Sequence, residues 1–227
     1  MFFEIIEPRL CLTATLDPTT GILTVAGTDQ NDRIIIRRGD NDTIAVLESV
    51  IPPRPAAGER PTEPTVTKTL FPRADVDGIV VNAGDGTDAV SLAWRVRIPR
   101  LGMRLRALEI PSTLNGGNGS DYLRGGRGID QINGGDGRDQ IIGLSGADVL
   151  NGDAGNDIID GGLGADILNG GAGNDRLFAL DGSGTDSLDG GDNDPVSATN
   201  PGDVAFVNTG DTVVNVERTR PSAGKTA

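Results

Sequence analysis

Residues 116 to 178 read GGNGSDYLR, GGRGIDQIN, GGDGRDQII, GLSGADVLN, GDAGNDIID, GGLGADILN and GGAGNDRLF, seven nine-residue units in succession without an insertion. Positions 1 and 4 are Gly, position 6 is Asp and position 8 is Leu or Ile in all seven units. Position 2 is Gly in five, with Leu144 and Asp153 the departures. Positions 3, 5, 7 and 9 are free. Four positions held fixed through 63 residues exclude compositional drift, and self-similarity at a short period is the signature of a solenoid.

Each fixed residue type has a physical reason. Glycine permits positive φ and removes side chains where the backbone curls tightly, so GGxGx is a turn. The remaining three residues, with one aliphatic at the centre, form a minimal strand. Such a strand cannot stand alone, but it can stack. If every turn reverses the chain, unit n lies in one sheet, n+1 in the opposite sheet and n+2 beside n, so two units make one coil of 18 residues. Leu123, Ile132, Ile141, Leu150, Ile159, Leu168 and Leu177 then form a thin aliphatic core between two parallel sheets.

The same stacking brings Asp121, Asp139, Asp157 and Asp175 into one column and Asp130, Asp148 and Asp166 into another, with neighbours about 4.7–4.9 Å apart along each. Like charges that close repel unless a cation intervenes. Ca²⁺, with Ca–O distances of about 2.3–2.6 Å and six to eight oxygen ligands, can touch two adjacent turns and use carbonyls the turn leaves unpaired. Mg²⁺ is smaller and reluctant to lose water. Zinc would lack its nitrogen and sulfur ligands.

The unit resembles the hemolysin-type, or RTX, nonapeptide G-G-x-G-x-D-x-U-x of bacterial calcium-binding proteins. The resemblance implies an all-β, right-handed parallel β-roll. It also implies that each ion takes the position 2 and 4 carbonyls and the Asp of one turn, with the position 1 and 3 carbonyls and the Asp of the next turn on that side. Carried over, an ion between the first and third units would use Gly117, Gly119, Asp121, Gly134, Asp136 and Asp139. Across the block the implied position 2 and 4 ligands also include Gly126, Gly128, Gly135, Gly137, Gly146, Asp153, Gly155, Gly162 and Gly164. Those of positions 1 and 3 include Gly143, Ser145, Gly152, Gly161 and Gly170. About five Ca²⁺ are expected, with binding coupled to folding.

The flanks carry the pattern loosely. DGSGTDSLD (Asp181 to Asp189) returns to phase with Asp186 at the acidic position, and the pattern decays at GGDND before Pro195. Upstream, AGDGTDAVS (Ala83 to Ser91) and GTDQNDRII (Gly27 to Ile35) match in part and make Asp88 and Asp32 candidate ligands. GILTVAG, RIIIR, TIAVL, TVTKTLF, GIVVNAG and WRVRIP read as longer strands stacked on the block. The expected organisation is an irregular β segment over 1–113 with a Pro-rich loop at 51–64, the calcium-binding roll over 114–194, and cap strands with a disordered tail over 195–227. DVAFV and DTVVNVE supply the cap.

The net charge of −13 is concentrated: residues 114–194 hold 15 Asp and 4 Arg with no Glu or Lys. An acidic chain disfavours nucleic acid and anionic membranes and favours cations. With no His, neither a Ser-His-Asp site nor an HExxH zinc site can be built, and no candidate pair of catalytic carboxylates stands outside the repeat, so no enzyme activity is expected. The lone Cys11 excludes an internal disulfide. No apolar run is long enough for membrane insertion. No signal peptide is recognised, and IIEPRLCLTA resembles the lead of some bacterial exported repeat proteins. The expected setting is secreted, extracellular or cell-surface, as a monomer. Arg95, Arg97, Arg100, Arg104 and Arg106 recur at mostly even spacing, and a contact with acidic polysaccharide or another surface polymer is the functional reading of that face. An adhesive or surface-layer component, or an accessory module of an exported enzyme, is the alternative role.

Overall fold

The computed structural model describes residues 13–50, 66–92, 108–180, 184–193 and 202–221. In chain order the strands are β1 (Thr13–Leu16), β2 (Ile22–Thr28), β3 (Asp32–Arg38), β4 (Thr43–Val50), β5 (Val66–Pro72), β6 (Gly78–Asp85) and β7 (Ala89–Ser91). There follow β8 (Ser112–Asn118), β9 (Tyr122–Arg124), β10 (Asp130–Asp136), β11 (Gln140–Ser145), β12 (Val149–Ala154), β13 (Ile158–Leu163) and β14 (Ile167–Asn169). The last are β15 (Ala172–Gly173), β16 (Arg176–Ala179), β17 (Ser187–Asp189), β18 (Asp192–Asn193), β19 (Val204–Val207), β20 (Thr212–Val214) and β21 (Arg218–Pro221).

Through the repeats the chain crosses between two sheets at every turn. One sheet runs β1, β2, β6, β8, β10, β12, β14, β17, β20, and the other runs β21, β19, β16, β13, β11, β9, β7, β3, β4, β5. Within the repeats every pairing is parallel, with Ile132 opposite Leu150 in one sheet and Ile141 opposite Ile159 in the other. This is a parallel β-roll, and its register is the 18-residue coil the repeat dictates. Several strands exceed three residues, because the turn glycines stay in ladder: Gly135 pairs with Gly117 as Ile132 pairs with Leu114.

One aliphatic per half-coil fills the interior. Leu114, Leu123, Ile132, Ile141, Leu150, Ile159, Leu168, Leu177 and Leu188 are fully buried. On the outside, position 9 of alternate units forms an amide ladder, with Asn115, Asn133 and Asn151 each donating Nδ2 to the Asn Oδ1 of the preceding coil at 2.7–2.8 Å. This constraint repeats every second unit, so it is invisible at a nine-residue period.

The N-terminal part is built differently. β2, β3 and β6 each bury two or more aliphatics, Leu23 and Val25, Ile34 and Ile36, and Ile79 with Val81. β4 and β5 add antiparallel strands beyond β3, a departure from simple coil stacking. The reason is the short turn after Arg38, where Asn41 and Asp42 take φ of 56° and 55°. Such residues tolerate the left-handed region and reverse the chain within one sheet. The two C-terminal runs expected as a cap are β19 and β20, parallel and in register with β16 and β17. The Pro-rich 51–64 and the Arg-rich 95–106 lie outside the described residues. Among the described residues no helix is long and apolar enough to cross a membrane.

Candidate metal centre

Position 6 of each unit points its carboxylate inward, into the turn. One column contains Asp32, Asp88, Asp121, Asp139, Asp157, Asp175 and Asp203 and ends at Glu217. In it the backbone N–H of each Asp donates to a carboxylate oxygen of the next acid at 2.6–2.8 Å. The other contains Asp130, Asp148, Asp166, Asp186 and Asp211, joined the same way at 2.8–3.2 Å. The Asp residues of both columns from Asp32 to Asp203 are at most 3% exposed. Each column is thus a directional zipper in which every acid after the first has one carboxylate oxygen engaged by the backbone of the acid before it.

The second oxygen decides the chemistry. Oδ2 of Asp88, Asp121, Asp139, Asp148, Asp157 and Asp175 is buried and has no hydrogen-bond partner. A buried unsatisfied carboxylate oxygen is costly, and a row of them is untenable at neutral pH without compensation. Burial, ahead of the neighbouring like charges, pushes the carboxyls of Asp88, Asp148 and Asp157 up to about 7 and those of Asp139 and Asp175 to about 6.

Position 1 glycine explains where these oxygens sit. It does not take a positive φ in these units; instead, a Cβ on Gly134 would come within 3.0 Å of both Asp139 Oδ2 and the Gly152 carbonyl oxygen. The same pair of oxygens, one carboxylate and one position 1 carbonyl of the next coil, surrounds Gly116, Gly125, Gly143, Gly152 and Gly170. The turn therefore gathers hard oxygens at a point kept clear of side chains. Among the described residues no group of three or more Asp, Glu or Cys side chains converges, so carbonyls must supply the remaining ligands. That donor set fits Ca²⁺.

The implied ligands are not equivalent. Asp121, Asp139, Asp148, Asp157 and Asp175 offer an open oxygen. Asp130 does not, because Gly126 N–H donates to its Oδ2 at 2.7 Å and Ser112 Oγ to its Oδ1 at 2.7 Å. The position 3 carbonyl of Asp136 already accepts from Gly119 N–H at 2.7 Å, leaving one lone pair for a metal. Asp88 and Asp186 take their places in the two columns. Asp203, Asp211 and Glu217 belong to the columns but were missed by the repeat template, since their turns lack its glycines. The available signal was an acid two residues before an inward side chain, as in Asp203 before Ala205 and Asp211 before Val213.

A parallel roll whose turns present stacked carboxylates and carbonyls is a calcium-binding solenoid by class. Residues 115–150 and 142–177 match the model of the RTX calcium-binding nonapeptide repeat (4 copies), so the block from 115 to 177 is made of RTX-type repeats. No curated protein and no solved structure matches it.

Proposed function

We propose that this is an exported protein whose repeat block binds several Ca²⁺ between successive turns and folds as it does so. The single observation that carries this is the column of buried Asp oxygens with no partner, each beside a carbonyl of the next coil. Asp121 with Gly134, Asp139 with Gly152, Asp157 with Gly170, and Asp148 with Gly161 are the pairs that would hold the ions. Ca²⁺ supplies positive charge and coordination there, removing both the desolvation cost and the repulsion along the column.

The magnitudes favour coupling. Extracellular calcium modules bind at about 10⁻⁴–10⁻³ M, far above cytosolic free Ca²⁺, so the sites fill only outside the cell. At about tenfold excess over Kd a site adds roughly 1.4 kcal/mol. About five independent sites would give roughly 7 kcal/mol, the scale of a whole domain's stability. Calorimetric titration with Ca²⁺, followed in parallel by circular dichroism, tests this reading. Saturable binding of several ions with a gain of β signal is expected; full β structure in chelator at neutral pH, unchanged by Ca²⁺, would overturn it.

A further inference from the structure

The two columns begin differently. In the second, the first acid is Asp130, and its Oδ1 accepts from the Ser112 hydroxyl of the preceding coil at 2.7 Å. A donor closes that end. In the first, Asp32 has Thr28 N–H and Oγ1 donating to Oδ2 at 2.6 and 2.9 Å, while Oδ1 is buried without a partner. The neighbour along the roll axis is β4, and the residue it places opposite inward Ile34 is Glu48. Glu48 is 2% exposed in a core position, and its Oε1 likewise has no partner. Asp32 pairs with Val50 and Ile34 with Glu48, so Asp32 and Glu48 are diagonal neighbours across β3 and β4, each with a buried oxygen left open.

We propose that Asp32 and Glu48 form a further divalent-cation site, outside the nonapeptide repeats, that closes the N-terminal end of the first column and is suited to Ca²⁺. Two buried carboxylates with one open oxygen each cannot satisfy one another while both are ionised. A dication neutralises both and accepts both oxygens, and an all-oxygen site selects a hard ion. Burial and then the Asp32 charge raise the Glu48 carboxyl above its ordinary value, as an uncompensated pair requires. Glu48 lies in an antiparallel strand that is no part of a GGxGxD unit. The site stands apart from the repeat sites and rests on their reading only for the identity of the ion.

The test counts bound Ca²⁺ per chain, by equilibrium dialysis and elemental analysis, for the full chain and for Glu48→Gln. Glu48→Gln is expected to bind one ion fewer, with the other sites and the calcium-loaded dichroism spectrum unchanged. Because the Gln amide can donate to Asp32 Oδ1 as Ser112 donates to Asp130, the metal-free variant is also expected to melt higher than the parent. An unchanged ion count overturns the proposal and identifies the pair as sharing a proton. Should Glu48→Gln not fold in Ca²⁺, Glu48→Met, close in volume and without an oxygen, gives the same count with the same two outcomes. A parent chain that binds no Ca²⁺ at all would sink the repeat reading as well, so the two failures are distinguishable.

Discussion

The N-terminal coils and the repeat block share one roll but stand on different physics. β2, β3, β4 and β6 each bury two or three apolar side chains, and Ile34, Ile36, Ile44 and Val46 pack in a sheet extended by antiparallel partners. Each half-coil of the repeat block buries a single Leu or Ile. Fully burying one such side chain is worth about 1.5–3 kcal/mol, while ordering nine residues costs about 1–2 kcal/mol each in backbone entropy. Interstrand hydrogen bonding and stacking must offset the rest, and the buried Asp row works against them. The difference teaches that apolar burial can hold the N-terminal coils, whereas the repeat coils depend on what neutralises their carboxylates.

The largest expected effect follows from removing calcium. In chelator at neutral pH, peptides from 115–177 should exchange their amide hydrogens rapidly, while those of β2, β3, β4 and β6 stay protected. Hydrogen exchange read by mass spectrometry separates the two regions in one experiment. Equal loss of protection in both would break the comparison and make the roll one cooperative unit.

Acid should substitute in part for calcium. The carboxyls of Asp148 and Asp157 are raised from 3.8 to about 7, and those of Asp139 and Asp175 to about 6, chiefly by burial. The folded roll therefore holds protons that the unfolded chain has released, and stability falls as pH rises wherever the folded state binds more protons. The metal-free roll should be most stable below about pH 4 as regards these groups and lose that stability as pH rises through 6 to 7. A pH series of metal-depleted protein by circular dichroism is expected to show β structure at about pH 5 that is lost at about pH 8. In saturating Ca²⁺ that loss should vanish. A metal-free roll that gains structure with rising pH would contradict the carboxylate account.

Smaller effects come from single side chains. Leu150→Ala removes the one fully buried aliphatic of its half-coil and should cost about 2–5 kcal/mol, as large-to-small core changes do. It should move the calcium midpoint for folding to higher concentration. Ala in place of Val25, which has Leu23 beside it on the inward face, should cost less and leave that midpoint unmoved. Comparable calcium shifts for both would mean that the two regions fold together.

Much of this was legible in the sequence because the repeat is strict. The inward Leu and Ile, the two Asp columns and the parallel coil all follow from positions fixed at nine residues. The Asn115, Asn133 and Asn151 ladder was hidden by its doubled period. The closed state of Asp130 could not be read, since Gly126 fits the template and only its hydrogen bond departs from it. Asp203 and Asp211 escaped because their turns reach the column without the glycine pattern, and Glu48 because it enters on an antiparallel strand. The role of position 1 also needed coordinates: its glycine clears space for Asp Oδ2, a constraint between residues five apart in the unit that sequence alone assigns to backbone freedom.

The smallest effect tests the turn itself. Leu144 and Asp153 stand at position 2 with φ of 84° and 72°, where Gly135 has 108°. A side chain at positive φ costs about 1–2 kcal/mol, and glycine returns part of that gain by loosening the unfolded chain, about 0.4–1 kcal/mol. Leu144→Gly should therefore stabilise the calcium-loaded roll by about 0.5–1 kcal/mol, a net of these two terms. Gly135→Ala is the converse: its Cβ would come within 3.0 Å of the Gly117 carbonyl oxygen, so strain and collision add, and the cost should exceed the gain from Leu144→Gly. Thermal melts in saturating Ca²⁺ give both signs. If Leu144→Gly destabilises instead, the Leu144 side chain contributes more by packing on the turn than its backbone loses, and position 2 is not uniformly a glycine site.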